Sequence, residues 1–415
     1  MICISTRGMA PPVSLRDAIL AGLAPDGGLY VPHQLVRLGD SWWQQQRGKS
    51  FQDVAVALAI EVAGDAFGRA ELEAIVRDAL NFPVPIVALD GEHRVVELFH
   101  GPTFAFKDFG ARTLARLMSH VNTDAAPLTV LVATSGDTGG AVAQAFHGVP
   151  NTRVVVLYPE GQVSDVQEAQ FTTLGGNVTA IAIRGSFDDC QRLAKEAFAD
   201  AATSARVRLT SANSISLGRL LPQMFYYAYA ALQSSAPPVI SVPSGNFGNL
   251  AAGVMAWKLG APIASFSAPT TVNDTVPRFL ASGRVEPRRS VATLANAMDV
   301  GNPSNLERLR WLFDDDVDAM RQMIVSTAHT DDEVRAAITE LHDKFGYVAD
   351  PHTAIAYLGN GAMFLATAHP AKFREVVEPV IKEPVQLPEA LKSALTKKKV
   401  ALRIAPVLGE LAELL

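Results

Sequence analysis

The feature that most constrains this chain is a repeated alternation. Between about Val95 and Phe266, short apolar runs give way to segments of helical period, with turn residues between them. The runs Leu128–Ala133, Arg153–Tyr158, Val178–Ile183 and Val239–Val242 are rich in β-branched residues and show no polar face. Strands of that kind are covered on both sides, as in parallel sheets flanked by helices, and their alternation with helices predicts βαβ units. After Lys107, the residues Ala111, Leu114, Leu117, Met118 and Val121 recur at helical spacing and form one apolar face. Ser164 to Leu174 opens with a Ser followed three residues later by Gln, a capping-box pattern, and ends at Gly175-Gly176. The expected fold class is α/β, with two parallel-type sheet domains flanked by helices and an N-terminal, mostly helical cap region.

One stretch could be taken for a membrane span, because Leu220 to Trp257 carries no Asp, Glu, Lys, Arg or His. Pro237, Pro238, Pro243, Gly245 and Gly248 interrupt it, so no apolar helix of about 20 residues survives. It reads as a buried helix, a central strand and the start of another helix, and no membrane association is expected.

Four regions are expected along the 415 residues. Residues 1–90 make the cap region, mainly helical from Ser14 to Leu80. Residues 91–235 and 236–385 make two α/β domains, and 386–415 a peripheral tail. The charged stretches Leu306–Phe313 and Asp331–Phe345 predict a more solvated helical layer. A net charge of −6 offers no basic field for a phosphate backbone, so nucleic acid is not an expected partner. Cys3 and Cys190 cannot build a disulfide framework, and Met1 to Gly8 has no apolar core of signal-peptide length; both point to the cytoplasm. His100, His352 and His369 lack paired ligand spacing, so no metal is expected.

Three segments carry candidate chemistry. Thr134-Ser135-Gly136-Asp137-Thr138-Gly139-Gly140 lies between an apolar strand and the helical segment Ala141–Phe146. Such a turn aims N–H groups and hydroxyls at the positive end of a helix, where an anion binds well. Its plainer reading is a tight βα connection with an Asp cap. Ser244-Gly245-Asn246-Phe247-Gly248-Asn249 repeats the arrangement before the helical segment Leu250–Leu259, with glycines that permit close backbone approach. Neither turn fits a Walker or G-x-G-x-x-G pattern, so nucleotide readings lose their main support. Two such cups suggest a protein that holds two anionic groups. Lys107 sits among Phe104, Phe106 and Phe109 at the start of a helix, where apolar surroundings and the helix dipole should depress its pKa and make it a candidate Schiff-base former. A lysine among aromatics is more often a snorkelling surface residue.

Taken together, Glu97 to Gly110, the Ser-Gly-Asp-Thr-Gly turn, Ser211-Ala212-Asn213-Ser214, Ser244 to Asn249, Val272 to Pro277 and Thr367 to Phe373 resemble the threonine synthase family, as do Ser5-Thr6-Arg7-Gly8 and Gly22 to Pro32. The likeness runs in order over about Met1 to Val385. It implies a pyridoxal 5'-phosphate enzyme of the tryptophan synthase β-like fold, converting O-phospho-L-homoserine and water to L-threonine and phosphate, as a monomer or homodimer. By the same resemblance, Lys107 holds the cofactor and shuttles protons. Gly245, Asn246, Phe247 and Asn249 form its phosphate cup, and Thr367 meets the ring nitrogen. Thr134 and Ser135 belong to the substrate-carboxylate turn, and Thr138, Asn213, Ser214 and Arg219 to the distal phosphate site; Asp137 is counted with the substrate-binding residues, its plainer reading being a cap or orienting partner rather than an acid–base group. The residues alone would make Asn213-Ser214 a helix cap, and Phe225, Tyr226 and Tyr227 core packing. Two alternatives stay open at this point: a dehydratase or sulfhydrylase of the same fold, with no need of a distal phosphate pocket, and a non-catalytic binder, which should lack the lysine.

Overall fold

The computed structural model describes residues 1–124 and 126–415. Three short strands open the chain, Ile2–Ser5 (β1), Val13–Ser14 (β2) and Tyr30–Pro32 (β3), paired antiparallel in the order β2-β1-β3. They are followed by Ile86–Ala88 (β4), Arg94–Glu97 (β5), Leu128–Ala133 (β6), Thr152–Pro159 (β7), Val178–Ile183 (β8), Arg208–Ser211 (β9), Val239–Ser241 (β10), Ser265–Ser267 (β11), Ile324–Val325 (β12), Met363–Ala366 (β13) and Leu402–Ile404 (β14). Two further sheets result. One has five parallel strands in the order β14-β8-β7-β6-β9, and the other six in the order β12-β11-β10-β13-β5-β4, where only β4 runs antiparallel. The architecture is α/β, with parallel sheets flanked by helices.

The apolar runs are strands because both of their faces are covered. All six residues of β6 are buried. Val130 and Val132 join the core that contains Leu114 and Phe146, while Leu131 and Ala133 join a second cluster with Leu193 and Ala197. Alternate residues of one strand thus feed two cores, as a two-residue side-chain period requires. The helix Lys107–Val121 buries Ala111, Leu114, Leu117, Met118 and Val121, the expected face. It is pinned near its start by Phe109, whose ring meets Phe82 at 4.9 Å and Tyr226 at 5.0 Å, both edge-on. Edge-to-face pairs add about 0.5–1.5 kcal/mol beyond burial, so the position of this helix is strongly held. The helix Asp165–Thr172 carries the capping box expected of Ser164 and Gln167.

Four expectations need correction. The boundary near residue 90 does not divide the sheets: β5 pairs with β13 and β4 with β5, so residues 86–97 belong with the later strands, and the segment reaching Lys107 leaves the six-stranded sheet. The residues after 385 are not merely peripheral, because β14 extends the five-stranded sheet beside β8 and Leu411 is fully buried. Charge near the chain's end masked an edge strand of only three residues. The helix Leu306–Leu312 is not simply solvated, since Arg308 is fully buried and its guanidinium is consumed by backbone carbonyls. Asn213 and Ser214 do not cap a helix; the next one is Leu217–Leu220, flanked by Ser216. Among the described residues, no helix is long and apolar enough to cross a membrane.

Candidate active site

Lys107 opens its helix at the end of a tight loop that follows β5. Phe104 in that loop has a φ of 57°, a left-handed conformation that a bulky residue adopts only when its surroundings compel it. The loop is tied down on both sides. The Phe106 amide donates to the Thr367 carbonyl at 2.8 Å, and the Thr103 amide and hydroxyl both donate to Asp108, each at 2.8 Å. Thr367, directly after β13, is thereby joined to the residue preceding Lys107. Burial pushes the Lys107 amine down to about 8; Asp137 opposes that shift, while the cations Arg219 and Lys372 assist it. A snorkelling surface lysine would show no such depression.

The turn Thr134 to Gly140 leads from β6 into the helix Asp137–Phe146, which begins a turn earlier than expected. Thr134 shapes the turn from within, its hydroxyl oxygen accepting from Gly136 N at 2.9 Å and Gly139 N at 2.8 Å. Gly136 has a φ of 137°, and a Cβ there would meet the Gln167 amide at 2.5 Å, so glycine is required twice over. Asp137 is not placed to receive an anionic substrate. Its buried carboxylate lies 2.7 Å from Lys372 Nζ and accepts from Gln167 Nε2 at 2.9 Å. Burial alone would raise this carboxyl, but the lysines Lys372 and Lys107 hold it well below the usual carboxylate range. A buried carboxylate needs such partners, so Asp137 braces the turn, an orienting role of the kind its place beside a turn suggests. Ser135 and Thr138 are only partly buried.

The segment Ser244 to Asn249 joins β10 to the helix Gly248–Lys258, with Phe247 left-handed at a φ of 59°. Among the described residues, no protein acceptor takes the amide N–H groups of Gly245, Asn246, Phe247, Gly248 or Asn249. Consecutive free amides at a left-handed residue and a helix start make an anion-binding concavity, which fits a cofactor phosphate. The side chains of this cup do bracing work. Asn246 Nδ2 donates to Ser214 Oγ at 2.5 Å, and its Oδ1 accepts from Ser304 N at 2.6 Å. Asn249 Oδ1 accepts from Tyr226 and Tyr227 hydroxyls at 2.5 and 2.7 Å, while its buried Nδ2 has no partner among the described residues. Tyr226 and Tyr227 therefore orient the cup as well as filling the core.

Among the described residues, Arg219, 2% exposed, has no carboxylate partner. Its Nη1 donates to the Ala212 carbonyl at 2.6 Å, and its buried Nε finds no acceptor among the described residues. Burial lowers it to about 10. Asn213 fastens the adjoining loop to the end of β6 through Nδ2 to the Ala133 carbonyl at 2.8 Å. Arg308 holds the same loop from behind, donating to the Ser214 carbonyl at 3.1 Å and to that of Ile215 at 2.5 Å. Sequence reasoning missed Arg308 and Lys372. Lys372 lay inside the segment Thr367 to Phe373, but nothing in sequence shows that an ammonium will be buried.

The residues present fit pyridoxal phosphate: a lysine of depressed pKa, a cup of free amides and an unsatisfied buried guanidinium. Comparison with known proteins agrees. The family model for the threonine synthase N terminus matches residues 3–80, that for pyridoxal-phosphate dependent enzymes 94–377, and that for the threonine synthase C-terminal region 356–411. The last of these covers much of the tail. Threonine synthase of Escherichia coli is 43% identical over 391 residues, covering 91% of each chain. Its crystal structure superposes with a TM-score of 0.94 at 40% identity, covering 100% of this chain and 99% of that one. Pyridoxal-phosphate-bound threonine synthase from Brucella melitensis gives a TM-score of 0.93 at 37% identity, covering 100% and 98%. The chain belongs to the threonine synthase family of pyridoxal-phosphate-dependent enzymes.

Proposed function

We propose that the site converts O-phospho-L-homoserine and water to L-threonine and phosphate, a carbon–oxygen lyase reaction in which phosphate is expelled. The observation that carries this reading is Arg219, a buried guanidinium without an acid and with an unsatisfied Nε. A buried unpaired cation is costly, and a dianionic group of the substrate supplies its counter-charge. The Lys107 surroundings point the same way: the charges acting on that amine are Arg219 and Lys372 against the single carboxylate of Asp137.

Lys107 would hold the cofactor as a Schiff base, the amides of Gly245 to Asn249 its phosphate, and Thr367 its ring nitrogen. Once bound, the cofactor supplies an electron sink for charge developing at the substrate α-carbon. Lys107 Nζ, titrating near 8, is neutral in an appreciable fraction of molecules at neutral pH, so it can take the Cα proton and hold it for later return. The Ser135 hydroxyl and the turn amides orient the substrate carboxylate. Arg219, with Thr138, Asn213 and Ser214, grips the leaving phosphate and stabilises the charge that builds on it. The substrate is thus a small molecule. A net charge of −6 supports the absence of nucleic-acid partners, and the reading keeps a cytoplasmic monomer or homodimer.

The test is turnover of phosphohomoserine set beside turnover of serine and threonine by the holoenzyme. Release of threonine and phosphate from the first, with little reaction of the others, is expected. Comparable reaction of the unphosphorylated amino acids would favour a dehydratase.

A further inference from the structure

Lys372 is 0% exposed, and its ammonium joins parts of both large sheets. It follows β13, in the segment Pro370–Phe373. Its Nζ lies 2.7 Å from Asp137 Oδ1, at the turn leaving β6, and donates at 2.9 Å to the carbonyl of Thr103, in the loop that ends at Lys107. The surroundings are built to hold this arrangement. Gln167 donates to the same Asp137 oxygen, Gln170 Nε2 donates to the Thr103 carbonyl at 3.0 Å, and Ser164 Oγ donates to the Lys372 carbonyl at 3.3 Å.

We propose that Lys372 is a positioning residue that captures Asp137 and so keeps its carboxylate from pairing with Lys107. The inference rests on the reading of Lys107 as the Schiff-base lysine. One buried carboxylate acts on two ammonium groups, and the geometry gives it to Lys372. An ammonium paired directly with Asp137 would keep its proton and be a poor nucleophile and base. The groups acting on Lys107 are Asp137, Arg219 and Lys372. Those acted on by Lys372 besides Asp137 are Asp108, whose carboxylate is occupied by Thr103, and His369, which burial, with Lys372 assisting, keeps neutral. No other acid in this set can replace Asp137. Removing Lys372 deletes a repelling cation and frees the carboxylate, and both changes favour the protonated form of Lys107.

The experiment follows, against pH, the rate at which pyridoxal phosphate added to the cofactor-stripped full chain regains lysine-bound absorbance. Lys372→Met should move the midpoint up by about one pH unit, so that reloading below the midpoint is about tenfold slower. Lys372→Arg, which keeps the charge, should stay near the parent. Lys372→Met with the parent's midpoint and only a lower melting temperature would overturn the proposal, leaving Lys372 a strut. Should Lys372→Met not fold, Asp137→Asn carries the test: its midpoint should fall, and one that stays or rises overturns the idea. Lys107→Ala must not regain the absorbance at all; if it does, the underlying reading fails, independently of Lys372.

Discussion

In the proposed function Lys107 and Arg219 carry the two halves of the chemistry, and each makes a separable prediction. If both cofactor anchoring and proton transfer pass through the Lys107 amine, as proposed, Lys107→Ala should abolish turnover. Borohydride reduction of the parent holoenzyme should label Lys107, and peptide mapping that finds the label on another lysine would refute the assignment. Arg219→Ala should leave the visible absorbance of the holoenzyme intact while impairing phosphohomoserine turnover. Loss of a hydrogen bond to a charged group costs about 1.5–3 kcal/mol, roughly a ten- to hundredfold effect before any specific loss in the transition state. Unphosphorylated amino acids should feel much less. Equal loss on both kinds of substrate would make Arg219 a structural residue. The two arginines contrast instructively. Arg308 spends its donors on the carbonyls of Tyr30, Ser214 and Ile215, whereas Arg219 keeps Nε unmatched, and only the second arrangement asks for a ligand.

At the scale of single elements, the cup between β10 and its helix shows how far a sequence can be read. Its place after an apolar strand and before a helix was legible, because a Gly-bearing turn between two periodic segments leaves few alternatives. The reason for Gly245 was not. Close approach of a ligand was the expectation, but a Cβ at Gly245 would lie 2.5 Å from the Met298 Cα, so the intruding backbone belongs to the protein itself. Gly245→Ala should therefore push apart the cup and the 298–299 segment, lowering stability by about 1–3 kcal/mol and weakening cofactor retention through dialysis. A variant as stable as the parent and equally retentive would show that the two segments separate freely. Asp137 illustrates the same limit. Its spacing within the turn marked it as part of the site, yet its actual role depends on Lys372, more than two hundred positions away in the chain, and no local pattern reports such a partner. Tyr226 and Tyr227 were legible as core, since apolar composition predicts burial. Their hydroxyl bonds to Asn249 were not, because those require knowing which helices are neighbours.

Across the whole molecule, side chains from separate regions converge on one site. Asn246 reaches Ser214, Arg308 reaches the same loop and the Tyr30 carbonyl of the N-terminal region, and Lys372 reaches Asp137. The C-terminal segment divides its contacts: Lys399 pairs with Asp165 and Glu168 and Val400 N donates to the Thr172 carbonyl, steadying the helix that carries Gln167 and Gln170, while the residues beyond 400 serve the five-stranded sheet. β14 runs parallel to β8, Arg184 N donates to the Ile404 carbonyl at 3.0 Å, and Arg153 donates to the Leu414 and Leu415 carbonyls at 2.6 and 2.7 Å. Ile404 and Leu411 enter the cluster formed by Ile181, Ile183 and Leu193. Deleting residues 401–415, which leaves Lys399 and Val400 in place, should therefore expose one face of that cluster and the free edge of β8. At about 1.5–3 kcal/mol for each buried aliphatic side chain, losing Ile404 and Leu411 alone should cost about 3–6 kcal/mol in chemical denaturation, and the bared edge should promote association between chains. The site should survive wherever the truncated chain remains folded, because β8 and β14 lie on the far side of β7 from β6 and its turn. Turnover per folded molecule at low temperature should accordingly match the parent's. A truncated chain with undiminished stability would return residues 401–415 to the periphery, whereas one that is stable but inactive would place this segment in the site after all.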